Sequence, residues 1–242
     1  MTFRIGILSS MNKNTASLTQ AVFDVVTSHI RDNDLRSGDL LPSESAIAAS
    51  VGVSRTVVRE AFGALSALKL IDVGNGRRAR VSSVDGSVIA LPLGHAVDTA
   101  QLTVSQVWDA RRALERRTAE LAAMRRSKAE ARAILEHACE LRRAGDDLVV
   151  QTEHDIAFHG AIARASRNPV FALLIASFAD LMRQTCPIGW RSRRTEAERL
   201  AVFDQHDHIA EAIDEENPAA AEAAMNAHFE LSLRALANSG FN

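Results

Sequence analysis

From Thr103 to Asn238 a helical hydrophobic period runs almost unbroken, and no other feature restricts the fold of this chain as much. The interruptions fall near Ser127, Gly145, Asn168-Pro169, Pro187/Gly189 and Asn217-Pro218. They predict helices over 103–126, 128–144, 148–166, 169–185, 193–215 and 218–238. Pro169 and Pro218 suit the first helical position, where a missing N–H costs nothing. Six helices with short connections can hide their apolar stripes only against one another, so the expected product is an all-α antiparallel bundle. There is no βαβ rhythm and no glycine-rich phosphate loop, which leaves nucleotide chemistry without support.

The first 82 residues have a different pattern. Leu18, Val22, Val25, Val26 and Ile30 fall on one helical face over 17–32, with Ser17 as the expected N-cap. Gly38 and Pro42 then punctuate the chain. Ser43 precedes a short periodic run (Ile47, Ala48, Val51) that ends at Gly52, the expected left-handed C-cap. Ser54 caps a second helix whose inward face would be Val57, Val58, Ala61, Phe62, Leu65 and Leu68. Helix, glycine turn and helix is the geometry of a helix-turn-helix. The runs LIDV and RARVSS around Gly74-Asn75-Gly76 read as a hairpin, and a hairpin in this place is a wing. The fold class is therefore mainly α, an N-terminal winged helix-turn-helix followed by the bundle. The expected domains are a loose leader over 1–16, a DNA-binding head over 17–82, a linker over 83–102 with room for a short helix or strand, and a helical domain over 103–238.

Composition serves mainly to exclude. Apolar residues make up 47% of 242, enough for packed cores, and no apolar run approaches the length that spans a bilayer. The opening MTFRIGILSS lacks a basic n-region and a cleavage site, so the expectation is a cytoplasmic protein with no membrane partner. Met11 opens a polar stretch that reads as a second plausible start. Cys139 and Cys186 have no CxxC spacing and read as buried, reduced thiols. Net charge is −2, but residues 1–82 carry ten basic against seven acidic residues, and the remainder 18 against 23. A mildly basic front and an acidic back are compatible with a small DNA-reading head.

The densest motif is GDLLPSESAIAASVGVSRTVVREAFGALSALKLIDVGNG. It resembles the GntR family of bacterial regulators, in which G-x-x-LPSE is followed by GVSRxxVREA and a wing glycine. That resemblance implies DNA contacts from Ser54, Arg55, Thr56, Arg59 and Gly76. The physical roles agree with it. The free N–H groups at the start of the recognition helix favour phosphate, and that end enters the major groove. Arg55 can fork onto a guanine edge, with Arg59 one turn further along the same face. Ser45 stands where relatives often carry arginine. Arg77, Arg78 and Arg80 of the wing are expected to reach phosphates and steepen the salt dependence.

Within the bundle, Asp155 and His159 are four apart on one helix, and His206 and His228 lie on the last two helices. One carboxylate and three imidazoles suit a divalent ion, with zinc first and nickel or manganese as alternatives. Spacing alone does not establish the ion, because D-x-x-x-H is a frequent accident. WDARRALE (108–115), DIAFHGAIARASRNPV (155–170), HDHIAEAI (206–213) and AAMNAHF (223–229) resemble the FCD ligand-binding domain of the FadR-type subfamily. The resemblance implies that Asp155, His159, His206 and His228 hold the metal and that Arg111 faces the same cavity as an effector-binding residue. A surface ion pair between Arg111 and Glu115 is the competing reading. His208, two residues from His206, should face away, and His29, His95, His137 and His154 have no partner at useful spacing. Trp108 and Phe158 are candidates for the cavity wall, with core packing as the default.

The expected protein is thus a homodimeric repressor on a palindromic operator in double-stranded DNA, controlled by a small organic acid effector, and not an enzyme. Three alternatives stay open: a metal-free regulator of an acyl-CoA type of ligand, a purely structural metal, and a metal-dependent hydrolase.

Overall fold

The computed structural model describes the backbone of residues 6–239 and side chains from residue 16. The chain divides into two compact units, Met1–Val88 and Ile89–Asn242.

In the first unit, α1 (Gly6–Asp32) leads to α2 (Glu44–Val51), α3 (Arg55–Ala67) and a hairpin of β1 (Ile71–Asp72) and β2 (Arg80–Val81). The α1 helix starts well before Ser17, so residues 6–16 are helical rather than loose, and Ser17 lies inside the helix instead of capping it. The reason is an absence of breakers, since neither Gly nor Pro occurs between residues 7 and 37 and a helix once nucleated continues. Residues 1–5 of the expected leader lie outside the described residues. Ser43 caps α2 through the Ala46 N–H, and Gly52 closes it at φ 74°, ψ 34°, a conformation that favours glycine. Ser54 caps α3 through Val57 N–H. Val22, Val26, Leu41, Val58, Phe62, Leu65 and Ile71 form the core, each at most 2% exposed. Leu68 is instead 45% exposed, because α3 ends there and the chain reverses at Lys69 (φ 56°).

The hairpin is antiparallel, pairing Ile71 with Val81 and Asp72 with Arg80, and Arg80 also bridges to Leu40. The segment before α2 therefore ties down the wing at one bridge. Two wing arginines add to that tie. Arg78 donates from Nε and Nη2 to the Leu41 carbonyl at 3.0 and 2.5 Å, and Arg80 donates to the Gly38 carbonyl at 2.6 Å. Arg77 pairs with Asp72 at 2.8 Å. The expected phosphate contacts of these three arginines compete with intramolecular partners.

In the second unit, α4 (Ser87–Asp98) is the helix for which the linker left room, and its Leu93 and Val97 pack on the bundle core. Then follow α5 (Val104–Arg125), α6 (Lys128–Ala144), α7 (Leu148–Ala165), α8 (Pro169–Ser177), α9 (Ala179–Ser192), α10 (Glu196–Asp214) and α11 (Pro218–Asn238). Thr103, Ser127 and Thr195 each close a reciprocal capping box. The helix expected over 169–185 is in fact two, broken at Phe178, and the second continues through Pro187 and Gly189. Tertiary packing overrides local breakers here, because Leu181, Met182, Thr185, Gly189 and Trp190 of α9 are all buried. Phe158, Ile162, Met182, Ile209, Ile213 and Phe229 sit at the bundle centre. Cys139 is exposed, not buried, because it lies one residue, or 100°, beyond the buried Ala138 on α6. Cys186 is half-buried. Among the described residues no helix is long and apolar enough to cross a membrane.

Candidate metal centre and nucleic-acid interface

Three helices bring the four expected donors together: Asp155 and His159 from α7, His206 from α10 and His228 from α11. One ligand atom from each lies within 4.8 Å of all the others. Donors held about 2.0–2.2 Å from a common ion stand about 3.4 Å apart in a tetrahedron and at most about 4.4 Å apart across the ion, so the widest pair would have to close by at least a few tenths of an ångström on binding. His159 and His206 are 1% exposed and His228 7%. His208 is exposed, as its place on α10 requires. His137 and His154 lie outside the four-donor group, with their ring centroids 5.8 Å apart.

The hydrogen bonds orient the rings. His206 Nδ1 lies 2.8 Å from the Val202 carbonyl, which turns Nε2 to Asp155 Oδ1 at 2.8 Å. His159 Nδ1 abuts the Glu115 carboxylate, and its Nε2 stands 3.6 Å from Asp155 Oδ1. Glu115 serves Nδ1, whereas the buried Nε2 has no aligned hydrogen-bond partner among the described residues. A buried orphaned nitrogen costs free energy unless something not made of protein satisfies it. Phe158, fully buried, packs edge-on against both rings from behind and leaves the cavity wall to others.

The electrostatics separate the three histidines. Burial opposes charge on His159, but the Glu115 carboxylate and then Asp155 outweigh it and raise its pKa to about 9. Burial, followed by the charges of His206 and His159, holds His228 well below the usual imidazole range, so its lone pair is free at neutral pH. Burial of Asp155 is overcome by its contacts with His159 and His206, which keep the carboxyl well below the usual carboxylate range.

Glu115 and Cys186 are participants that sequence reasoning did not place at the site. Glu115 is 1% exposed and joins Arg111, whose Nε and Nη2 bond to its Oε1 at 2.9 and 2.8 Å, to His159. The Arg111–Glu115 pair is therefore buried and not a surface pair. The arginine also stacks on Trp108, 4.7 Å from its ring centroid. A carboxylate four residues from Arg111 on α5 was the available signal, but its burial was not legible. The Cys186 thiol donates to Asp155 Oδ2 at 3.5 Å, and burial followed by that carboxylate raises its pKa well above the usual thiol value.

Asp155, His159, His206 and His228 line a cavity of about 60 Å³, with Arg111, Trp108 and Arg193 on its other walls. Room of that size holds roughly four to six water-sized groups.

In the first unit, Ser54, Arg55, Thr56, Arg59 and Gly76 are all exposed. Arg55 and Arg59 converge on Glu44 at the start of α2, at 3.6 and 2.9 Å from Oε2, with their side chains 60% and 65% exposed. A groove runs between this face of α3 and the wing tip, where Gly76 has φ +71°. An exposed arginine pair held in parallel at a helix start can meet phosphates or guanine edges.

Comparison with known proteins agrees with this division. Residues 18–81 match the description "Bacterial regulatory proteins, gntR family", and residues 106–231 match the FCD domain. The HTH-type transcriptional regulator LutR of Bacillus subtilis is 34% identical over 203 residues, covering 82% of this chain and 92% of that protein. The Glc operon transcriptional activator of Escherichia coli K12 is 27% identical over 224 residues, 90% of this chain and 88% of that one. The HTH-type transcriptional repressor NanR of Salmonella newport is 29% identical over 215 residues, with 87% and 82% covered. A solved GntR structure from Streptococcus agalactiae aligns at a TM-score of 0.62 and 24% identity, over 89% of this chain and 99% of that one, and supports the fold. These relatives and this fold are those of transcription regulators, not enzymes.

Proposed function

Starting from the fact that this chain belongs to the GntR family of bacterial regulators, with an FCD domain behind its DNA-binding head, we propose that its DNA affinity is set by a small carboxylate bound beside a divalent ion in the bundle. Asp155, His159, His206 and His228 would hold the ion, zinc first, with nickel or manganese as alternatives. Bound there, it supplies positive charge and coordination positions beyond those the protein fills. Arg111 backs the cavity, its charge answered by Glu115 and its Nη1 without a partner among the described residues, so that one N–H edge is left for the effector.

The observation that carries the reading is the convergence of four donors within 4.8 Å on a cavity wall, with the buried Nε2 of His159 unsatisfied. The cavity's size favours a short acid over an acyl-CoA, whose bulk exceeds several water volumes many times over. At the DNA end, Ser54, Arg55, Thr56, Arg59 and Gly76 are the proposed contacts, and a homodimer would set two heads on a palindrome. Effector binding acts only if it favours one arrangement of the heads over another. Repression relieved by effector is the proposed sense.

The test uses the full-length protein stripped with chelator and reloaded with zinc, nickel or manganese. Melting temperature, and retention of promoter fragments with and without short carboxylic acids, are the readouts. Stabilisation by acids that disappears on chelation supports the reading, and acids that act equally on stripped protein overturn it.

A further inference from the structure

Arg193 is a cation the cavity does not use. It is the residue that ends α9, on the same cavity as the four donors, and it is partly buried. Its guanidinium makes no side-chain hydrogen bond or ion pair among the described residues, and the Trp190 ring, 5.9 Å away, is its nearest stacking partner. Burial pulls its pKa below the usual guanidinium range, and Cys186, Asp155 and Glu198 offset that only in part. Every comparable cation in the bundle interior is answered: Arg111 by Glu115, and Arg126 by Glu216 and the Ile213 carbonyl.

The other polar groups of the cavity do not replace it. The hydroxyls of Thr152 and Thr185 are spent on the Leu148 and Leu181 carbonyls, and one of the two Gln151 amide N–H groups on Gly145. The two hydroxyls present lone pairs, which a carboxylate avoids. The donors left over are Arg193, the Nη1 edge of Arg111, the second N–H of Gln151 and the Ser232 hydroxyl, and of the two cations only Arg193 has no ion-pair partner among the described residues.

Charge then fixes the ligand class. Glu115 cancels Arg111, and Asp155 cancels half the charge of a divalent ion held by it and three neutral imidazoles. One positive unit remains at the ion and a second on Arg193. From this arrangement, and resting on the metal-site reading above, we infer that the effector is a short dianion: a three- or four-carbon dicarboxylate with one carboxylate on the metal side and the other forked onto Arg193. Roughly five water volumes of about 30 Å³ accommodate such a molecule and little more. A guanidinium meets a carboxylate through two parallel N–H donors, and the end of α9, with its partial negative charge, steadies the cation until the ligand arrives.

The test measures succinate and malonate against propionate and acetate by calorimetry on the zinc-loaded, full-length protein, alongside a zinc titration of the stripped protein. Wild type should bind the diacids at least tenfold more tightly than the monoacids. Arg193→Gln should erase that preference, weakening succinate by about ten- to hundredfold while leaving zinc affinity and propionate binding within twofold. Arg193→Lys should restore part of it. Equal binding of mono- and diacids by wild type, no binding of either, or an unchanged preference in Arg193→Gln overturns the inference. Failure of the zinc titration would instead remove the metal-site reading. Succinate is then titrated on the stripped protein, where dependence on Arg193 upholds the subsite and independence overturns it.

Discussion

Glu115→Gln replaces the carboxylate that joins Arg111 to His159 with a neutral group of the same shape. In the wild type all three side chains are at most 2% exposed, and Arg111 gives two N–H groups to a single Glu115 oxygen. Removing one partner of a buried pair leaves the other charge uncompensated, which costs about 3–5 kcal/mol. For a domain of this size each kcal/mol moves the midpoint by about 2–4 °C, so the metal-free bundle should melt about 6–20 °C lower. A second consequence concerns protons. His159 has a pKa of about 9 because of Glu115 and Asp155. In stripped protein at pH 7 it is therefore almost fully protonated, and loading the ion must release close to one proton. Without Glu115 its pKa falls, since Asp155 alone then opposes burial, and release should drop below one proton at the same pH. Calorimetry of zinc binding in buffers of different ionisation enthalpy counts those protons directly. A Glu115→Gln protein that melts like wild type and still releases a full proton would refute the account of the triad.

The same raised pKa makes stability depend on pH. The folded-state pKa lies above the unfolded one, so the contribution of His159 is complete below about 6.5 and lost as pH rises through about 9, and stripped wild type should melt progressively lower across that window while Glu115→Gln is flatter. Chelation of zinc-loaded wild type should remove about 2.7 kcal/mol of stability for an ion present at a hundred times its Kd, a shift that His228→Ala, which lacks a donor, should not show. Arg55→Ala should weaken specific DNA binding by about 1–3 kcal/mol in a gel-shift titration without lowering the melting temperature, because its side chain is 60% exposed. Arg78→Ala should destabilise the head by about 1–3 kcal/mol, seen in its own unfolding transition, because it uncaps the buried Leu41 carbonyl, and should scarcely change the salt slope of DNA binding.

The local chemistry of the head was legible because it depends on near neighbours. Ser43, Gly52 and Ser54 bound their helices where side-chain caps and a left-handed turn are the only good solutions. The four donors could be named from the resemblance, but spacing alone did not unite them, since Asp155 and His228 are separated by four helix boundaries. The errors share one cause. Pro187 and Gly189 look like breakers, yet α9 passes through them because its buried face outweighs the local cost. Cys139 differs from its buried neighbour Ala138 by a rotation that no count of apolar residues reports.

The order of residues by itself determined that this chain makes a winged head and a helical bundle, and which side chains carry donor atoms. Periodicity, capping and turn preferences act within a few residues and can be read along a string. Packing alone decided which of those side chains are dry and which are answered. It sank Arg111 onto Glu115 and left Arg193 on the cavity without an ion-pair partner among the described residues, because the cost of a charge depends on what surrounds it in space and not on its neighbours in the chain.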